Sequence, residues 1–453
     1  MTTAALMIGL TAAALTVGVV RGARHRSIFG AVVALQCAYW GASYVVRPLI
    51  LLLVQPQPRL GDPVADPRMA ELGYENVLAG VLGVVAVGVC VYVVAATLVL
   101  RRSTASAETT GRPVSASAGA ALIVLGWLAR LASIALHAPV FATLALLGSI
   151  GTGVLILWHL HRLSRGTMLL AGSVLVVSEL LWSLASASKA PVFACGLFVL
   201  VVVLRQGVTR RSATRAALVG VGLVLAFPLI QASKAALGML VQTPAATASY
   251  PAALHGLMPF VRRFDLVSAV TDAYLAGPAS WMSPVEAVHR AAAALVPSQL
   301  QLDKGDNTGA LWAVEVRAVT VPGSNTGVHL AEGPIAEGYV IGGLQGVILE
   351  SLLLLALTAL VAWRLTRGGR FGVLFALAMT CQPFLFERGV LGAAEGLGKA
   401  LQVSAVAVVL VSIVSLLQRG RGPGTGATGA HGRARMLATR EGFPELALPA
   451  VRR

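Results

Sequence analysis

"NVLAGVLGVVAVGVCVYVVAATLVL" occupies residues 76–100 and is followed directly by Arg101 and Arg102. The stretch carries no charged side chain. As a helix it would be about 37 Å long, which is enough to cross the roughly 30 Å hydrocarbon core of a bilayer. Similar runs recur along a chain that is 57% hydrophobic and only 12% charged, whereas soluble domains are about 25% charged. These features predict an all-α polytopic membrane protein, because helices satisfy their own backbone hydrogen bonds within lipid.

The apolar runs predict about eleven transmembrane helices. Their approximate bounds are 4–20, 28–54, 76–100, 117–136, 139–158, 167–187, 191–205, 216–233, 338–363, 371–386 and 397–417. The predicted organisation is transmembrane helices 1–8 in 1–233, a large external loop in 234–337, transmembrane helices 9–11 in 338–418, and a disordered basic tail in 419–453. Two apolar, helix-like pieces within the loop, 260–275 and 283–296, predict a small ordered cap. Loops of this length are usually functional or disordered.

The net charge of +16 is explained by where the arginines lie. They cluster in alternate loops, around residues 21–26, 101–112, 162–165, 205–215 and 364–370, and seven more follow residue 418. Because cytoplasmic loops carry the excess of Lys and Arg, the N-terminus is predicted outside and the C-terminus in the cytoplasm. The charge is therefore a topology signal, and we expect no nucleic-acid partner.

Acidic residues gather where the ninth span begins, in "SNTGVHLAEGPIAEGYVIGGLQGVILE", residues 324–350. Gly333 and Pro334 form a natural helix start, since proline is tolerated in the first turn. His329 and Glu332 would precede that start, and Glu337 would lie in the first turn. Acids at a helix N-terminus can simply stabilise it. Their number at this boundary favours a chemical role, with Glu337 preferred as a base and Glu332 next.

The helix after this start has a regular pattern of small residues. Gly338, Gly342 and Gly346 recur every four residues, which predicts close packing against another span. On a straight helix Glu350 would lie about 220° around from Glu337. We therefore expect Glu350 to have a separate, structural partner.

Cations concentrate in the large loop and the short turns that are predicted to face the same side. Arginine forks bind phosphate bidentately, so the candidates for holding a pyrophosphate are Lys189, Arg262, Arg263, Arg290, Lys304 and Arg317. The alternative is that the loop cations pair with the loop's own acids. The turn before span 11 adds Glu387, Arg388, Glu395 and Lys399, which either close the same site or only pair with each other.

Glu179 lies in the middle of a predicted span. A charge there costs about 2.5–3.5 kcal/mol on insertion scales, so the side chain should face the protein interior. Two interpretations are open: an ion pair with Arg130 or Lys234, or a functional role.

Motifs for other enzyme classes are absent from the sequence. It contains no HExxH, no GxSxG, no P-loop and no dinucleotide-binding GxGxxG in a βαβ setting. We expect no cofactor, no required metal and no nucleotide-sugar site.

An ordered series of motifs resembles the bacterial oligosaccharide repeat-unit polymerases, the Wzy-type O-antigen polymerase and O-antigen ligase group. The series is "VVRPL" (45–49), "SASKAPVF" (186–193), "RRFD" (262–265), "LVPSQLQLDKGDNTG" (295–309) and "EGYVIGGLQGV" (337–347). The resemblance in topology and large external loop covers nearly the whole chain. One departure is Ser298, which follows Pro297 where an arginine is usual in the family. Arg290 or Lys304 would then have to substitute for it.

The resemblance implies that a glycan moves from an undecaprenyl pyrophosphate carrier to a lipid-linked repeat unit outside the plasma membrane. The cations named above would stabilise the departing pyrophosphate, and Glu337, Glu332 or His329 would take the proton from the acceptor hydroxyl. Implied partners are the lipid-linked oligosaccharide, membrane lipid and other envelope polysaccharide assembly proteins. The alternatives are an O-antigen-type ligase, a lipid-linked oligosaccharide flippase or transporter, and a scaffolding component of an envelope assembly.

Overall fold

The computed structural model describes residues 2–55, 71–102, 114–136, 138–186, 188–205, 207, 209–236, 250–252, 264, 266–296, 308–317, 332–382 and 384–420. The helices are α1 (Thr3–Arg24), α2 (Ile28–Val54), α3 (Tyr74–Arg102), α4 (Ala116–Leu136), α5 (Val140–Arg162), α6 (Arg165–Ala185), α7 (Ala190–Leu204), α8 (Arg210–Ala236), α9 (Leu266–Ala276), α10 (Pro284–Leu295), α11 (Thr308–Leu311), α12 (Gly333–Arg367), α13 (Arg370–Thr380), α14 (Phe384–Glu387) and α15 (Val390–Gly420). Within the described residues this is an all-α protein, as predicted. Both helix-like pieces of the large loop are present as α9 and α10.

Nine helices in the described part of the chain are long and apolar enough to cross a membrane, and these are α1–α6, α8, α12 and α15. The predicted spans at 191–205 and 371–386 correspond to the shorter apolar helices α7 and α13. The 11 residues of α13 rise about 16 Å, so this helix does not cross the hydrocarbon by itself. On α6, the large apolar side chains Leu169, Leu170 and Val174 are exposed, as expected for a surface that faces lipid. The chain is a multi-pass membrane protein.

Helix α3 lies at the centre of the bundle. Leu78, Leu82, Val85 and Val89 form a fully buried stripe along it, at the i, i+4, i+7, i+11 spacing of one helix face. The helix packs against α1, α9 and α12. Helix α9 is therefore part of the core, with Val267, Val270 and Ala273 fully buried, rather than part of a solvated cap.

Contacts between helix ends agree with the alternation of arginine-rich loops. A Cβ at Gly207, after α7, would lie 3.0 Å from Arg26 Nε, before α2. At the start of α4 the Val114 carbonyl oxygen lies 3.0 Å from His159 Nε2, near the end of α5. The starts of α2 and α4 thus lie beside the ends of α7 and α5, respectively.

Candidate functional site

Helix α12 is broken near its start. Gly342 (φ −142°, ψ 19°) and Gly343 (φ 58°, ψ −144°) are not helical, and the chain folds back at this point. A Cβ at Gly346 would lie only 2.0 Å from the Gly338 carbonyl oxygen. In a straight helix two residues eight positions apart are separated by about 12 Å. The predicted glycine stripe therefore packs against itself across the break, because two glycines let the backbones approach.

The break frees backbone carbonyl groups, and the chain after α9 bonds to them. Ala279 N–H donates to the Tyr339 carbonyl oxygen at 3.1 Å, and Trp281 N–H donates to that of Val340 at 3.0 Å. In a continuous helix these oxygens would accept from residues 343 and 344. These two bonds replace the lost helical bonds and satisfy carbonyl groups that are costly to leave unpaired inside a membrane. The break is therefore a stable part of the fold.

Folding back brings Glu350 to Glu337. Both carboxyl groups are buried, and the two side chains lie beside each other. The expectation that Glu350 points away from Glu337 and has a separate partner is wrong, because it assumed a straight helix.

The Glu337–Glu350 pair lies at the N-terminus of α15. Leu391 N–H donates to Glu337 Oε1 at 2.9 Å. A Cβ at Gly389 would lie 2.4 Å from Glu337 Cδ, so only glycine leaves room for the carboxyl group there. A helix N-terminus favours negative charge and offers free N–H groups. Glu337 thus has a structural role at α15, and in the described part of the chain its Oε2 has no hydrogen-bond partner.

Glu332, which directly precedes α12, is fully buried, and neither carboxylate oxygen has a hydrogen-bond partner among the described residues. A Cβ at Gly392 would lie 2.4 Å from Arg388 Cδ and 2.9 Å from Glu332 Oε1, so both side chains meet this glycine. Burial raises the pKa of Glu332 to about 7, while Arg388 opposes the shift and the charge of Glu395 adds to it.

Arg388 is connected to the large loop through Glu395. Arg388 Nη1 lies 3.7 Å from Glu395 Oε2, so the predicted pairing within this turn is present. Glu395 Oε1 also accepts from Thr308 N–H at 2.9 Å and Thr308 Oγ1 at 2.8 Å. The start of α15 is therefore held to α11 beside Glu332.

Three of the predicted cations, Lys189, Arg290 and Arg317, lie within the described residues. Arg290 pairs with Glu286 on the surface of α10 at 2.9 Å, Arg317 Nε lies 3.9 Å from Asp272 Oδ2, and Lys189 Nζ lies 4.0 Å from the centre of the Phe227 ring. The other predicted site residues, Arg262, Arg263, Lys304 and His329, lie outside the described residues.

Arg47 of the "VVRPL" motif is a buried cation that was not among the predicted site residues. Its side chain is 1% exposed, and Nη1 lies 3.4 Å from the Tyr250 hydroxyl. Tyr44, one turn earlier on α2, directs its hydroxyl toward Gly333, whose Cβ would lie 3.7 Å away. The signal in the sequence was an arginine inside an otherwise apolar run, which is rare unless the residue faces the protein interior.

Glu179 belongs to a separate buried network. Arg130 Nη2 lies 2.7 Å from Glu179 Oε2, and Ser149 and Thr152 donate to the same carboxylate at 2.8 and 3.0 Å. The Arg130 guanidinium also lies over the rings of Trp127 and Trp182, 5.2 and 5.3 Å from their centres. Of the two interpretations of Glu179, the structure supports the ion pair with Arg130.

The site is thus a group of buried carboxyl groups, Glu332, Glu337 and Glu350, beside Arg388. Such a group can take up and hold protons. Within the described residues, no three His, Cys, Asp or Glu side chains are placed to hold a metal ion. The chain matches no protein-family model, no curated protein and no solved structure.

Proposed function

We propose that this protein is a membrane-embedded polysaccharide polymerase. It would transfer a glycan from an undecaprenyl pyrophosphate carrier to a lipid-linked repeat unit on the external face of the plasma membrane. The proposal includes the orientation predicted from the arginines, with the N-terminus outside and the C-terminus in the cytoplasm. The observation that carries it is the placement of the unpartnered Glu332 carboxylate beside Arg388.

Glu332 suits the role of general base better than Glu337. A base works best when its pKa lies near the working pH, and that of Glu332 is raised to about 7. Glu337 already accepts from Leu391 and lies beside the carboxyl group of Glu350. We therefore assign the proton-accepting role to Glu332 and a positioning role to Glu337.

The reaction needs one base and positive charge. The acceptor hydroxyl attacks the anomeric carbon of the donor glycan, and the bond from that carbon to the pyrophosphate oxygen breaks. The hydroxyl proton passes to Glu332, and the carrier pyrophosphate leaves with the bonding electrons. Arg388 stabilises the developing charge, together with the predicted cations of the large loop.

Phe264 of the "RRFD" motif lies near this site. Its ring centre lies 5.1 Å from that of Tyr39, which in turn lies 5.4 Å from that of Phe386. Phe386 precedes Arg388 by two residues in the sequence. Because Arg262 and Arg263 directly precede Phe264 in the sequence, they remain the preferred loop cations for the pyrophosphate.

A genetic complementation experiment tests this proposal. In a strain that lacks the gene, single lipid-linked repeat units should accumulate facing outward, and long surface chains should be lost. The native gene and Glu286→Gln, a change at an exposed glutamate, should restore chain length. Glu332→Gln should lower the polymerisation rate about 10²–10⁴-fold, the usual range for loss of general acid–base catalysis. Surface chains of normal length with Glu332→Gln would show that Glu332 is not the base.

A second candidate function is a proton-coupled flippase or transporter of lipid-linked oligosaccharide. The broken helix α12 with its buried acids favours it, since discontinuous helices and intramembrane carboxyl groups are common at transport sites. In that case the gene deletion should leave repeat units on the cytoplasmic face. A ligase would instead leave full-length chains on the carrier.

A further inference from the structure

Helix α10 has an apolar stripe that faces away from the protein. Val285 and Val288 are 80% and 70% exposed, and Leu295 is 37% exposed. Ala292 is exposed between them, so the four side chains follow the i, i+3, i+7, i+10 spacing of one helix face. Two highly exposed valines three residues apart are unusual on a surface that faces water.

Contact with α15 gives the depth of this helix relative to the membrane. A Cβ at Gly398 would lie 2.8 Å from the Ala294 carbonyl oxygen and 3.0 Å from that of Leu295. The membrane-spanning part of α15, Val390–Gln418, has 29 residues and is therefore about 43 Å long. If it is centred on a 30 Å hydrocarbon core, Gly398 lies about 5 Å inside the hydrocarbon. The C-terminal end of α10 thus reaches the level of the acyl chains.

The remaining surface of α10 fits a helix that lies along the membrane plane. Glu286 and Arg290 form an exposed ion pair at 2.9 Å, and His289 is also exposed. These three polar side chains form a polar edge, which lies on a different side of the helix from the apolar stripe. Ser283 Oγ accepts from Glu286 N–H, and Pro284 occupies the first turn, so the helix has a defined start. On α15, Leu401 is exposed one turn beyond Gly398, which continues the apolar surface.

We infer that α10 is an in-plane membrane helix whose apolar stripe is covered by lipid acyl chains. Amphipathic helices of this kind sit about 5–10 Å into the boundary between headgroups and acyl chains, which matches the level of Gly398. Part of the large loop therefore lies in the membrane surface rather than above it. The inference does not depend on the proposed function.

Spin labelling of single-cysteine variants tests this inference. The background is the full chain with its four cysteines replaced by serine, reconstituted in vesicles of phosphatidylethanolamine and phosphatidylglycerol. Labels are placed at Val285→Cys and Val288→Cys on the stripe, and at Glu286→Cys and His289→Cys on the polar edge as matched controls. All four positions are exposed, and the melting curve of each variant verifies that it is folded.

The readout is collisional relaxation by oxygen, which partitions into lipid, and by a water-soluble nickel chelate. We expect oxygen to dominate at 285 and 288 and the chelate to dominate at 286 and 289. Strong relaxation by the chelate at all four positions overturns the inference, because α10 would then lie in water. Weak relaxation by both reagents at 285 and 288 also overturns it, because protein would then cover the stripe.

Discussion

Glu337 and Glu350 lie beside each other although a straight helix would place them about 20 Å apart along its axis. The contact exists because the chain folds back at Gly342 and Gly343. A pair of acids thirteen residues apart in sequence becomes one chemical unit, and the N-terminus of α15 lies directly against it.

The first prediction is that Glu337 and Glu350 share a proton at neutral pH. Two buried like charges side by side oppose each other's ionisation, and one proton held by the pair relieves this repulsion. Infrared spectra of the purified protein should show a protonated carboxyl band that is lost or shifted in Glu350→Gln. The exposed Glu286→Gln serves as the control and should leave the band unchanged. Identical spectra for Glu350→Gln and the native protein would show that the pair does not hold the proton.

The second prediction concerns the break in α12. Gly343 has a φ of 58° with an extended ψ, a region that is essentially restricted to glycine. Gly343→Ala should therefore destabilise the protein by about 1–3 kcal/mol and lower its melting temperature in detergent. Gly342→Ala is the matched control, because no atom lies within 4 Å of its Cβ position and its φ is negative. Equal melting temperatures for the two variants would argue against a required left-handed residue at 343.

The third prediction compares a buried ion pair with an exposed one. Glu179→Gln should destabilise the protein by about 3–5 kcal/mol, because it leaves the buried Arg130 charge without its counter-ion. Glu286→Gln, at the exposed pair of α10, should change stability by less than about 1 kcal/mol. The double variant Arg130→Met with Glu179→Leu should recover stability, since it removes both buried charges. A double variant no more stable than Glu179→Gln would contradict this explanation.

The fourth prediction is a pH dependence of stability at Glu332. Its pKa is raised by burial from 4.5 to about 7 in the folded protein, so the folded state binds more protons than the unfolded state between these values. Stability should therefore fall as pH rises through this window, by about 3 kcal/mol in total. The glutamine side chain in Glu332→Gln cannot ionise, so this variant should lack the loss of stability that comes from Glu332. Melting curves at pH 5 and pH 8 measure it, and the same slope in both proteins would contradict it.

Individual elements show how far the sequence alone predicts this protein. The stretch 76–100 predicted a membrane span, and it lies within α3. The apolar, helix-like pieces of the large loop correspond to α9 and α10. A capping serine and an early proline mark the start of α10 locally. The sequence also offered Arg130 as a partner of Glu179, since a charge within a span needs a counter-ion.

Other features depend on chain folding over longer distances. The described residues contain nine helices long enough to span, against about eleven predicted spans, because apolar composition does not show that α13 stops at Thr380. Glycines every four residues suggested packing against another helix, while the structure folds the same helix back on itself. The place of α9 within the core was equally hidden, since a loop segment that packs against α3 and a solvated segment can have similar composition.

The sequence by itself determined that this is an all-α membrane protein, because apolar runs of sufficient length leave the backbone no other partner within lipid. It also located acids at the start of α12. Only the tertiary structure decided which acids act together. The left-handed conformation at Gly343 and the backbone bonds from residues 279 and 281 reverse the chain, and the distance between two side chains depends on that reversal rather than on their spacing in sequence.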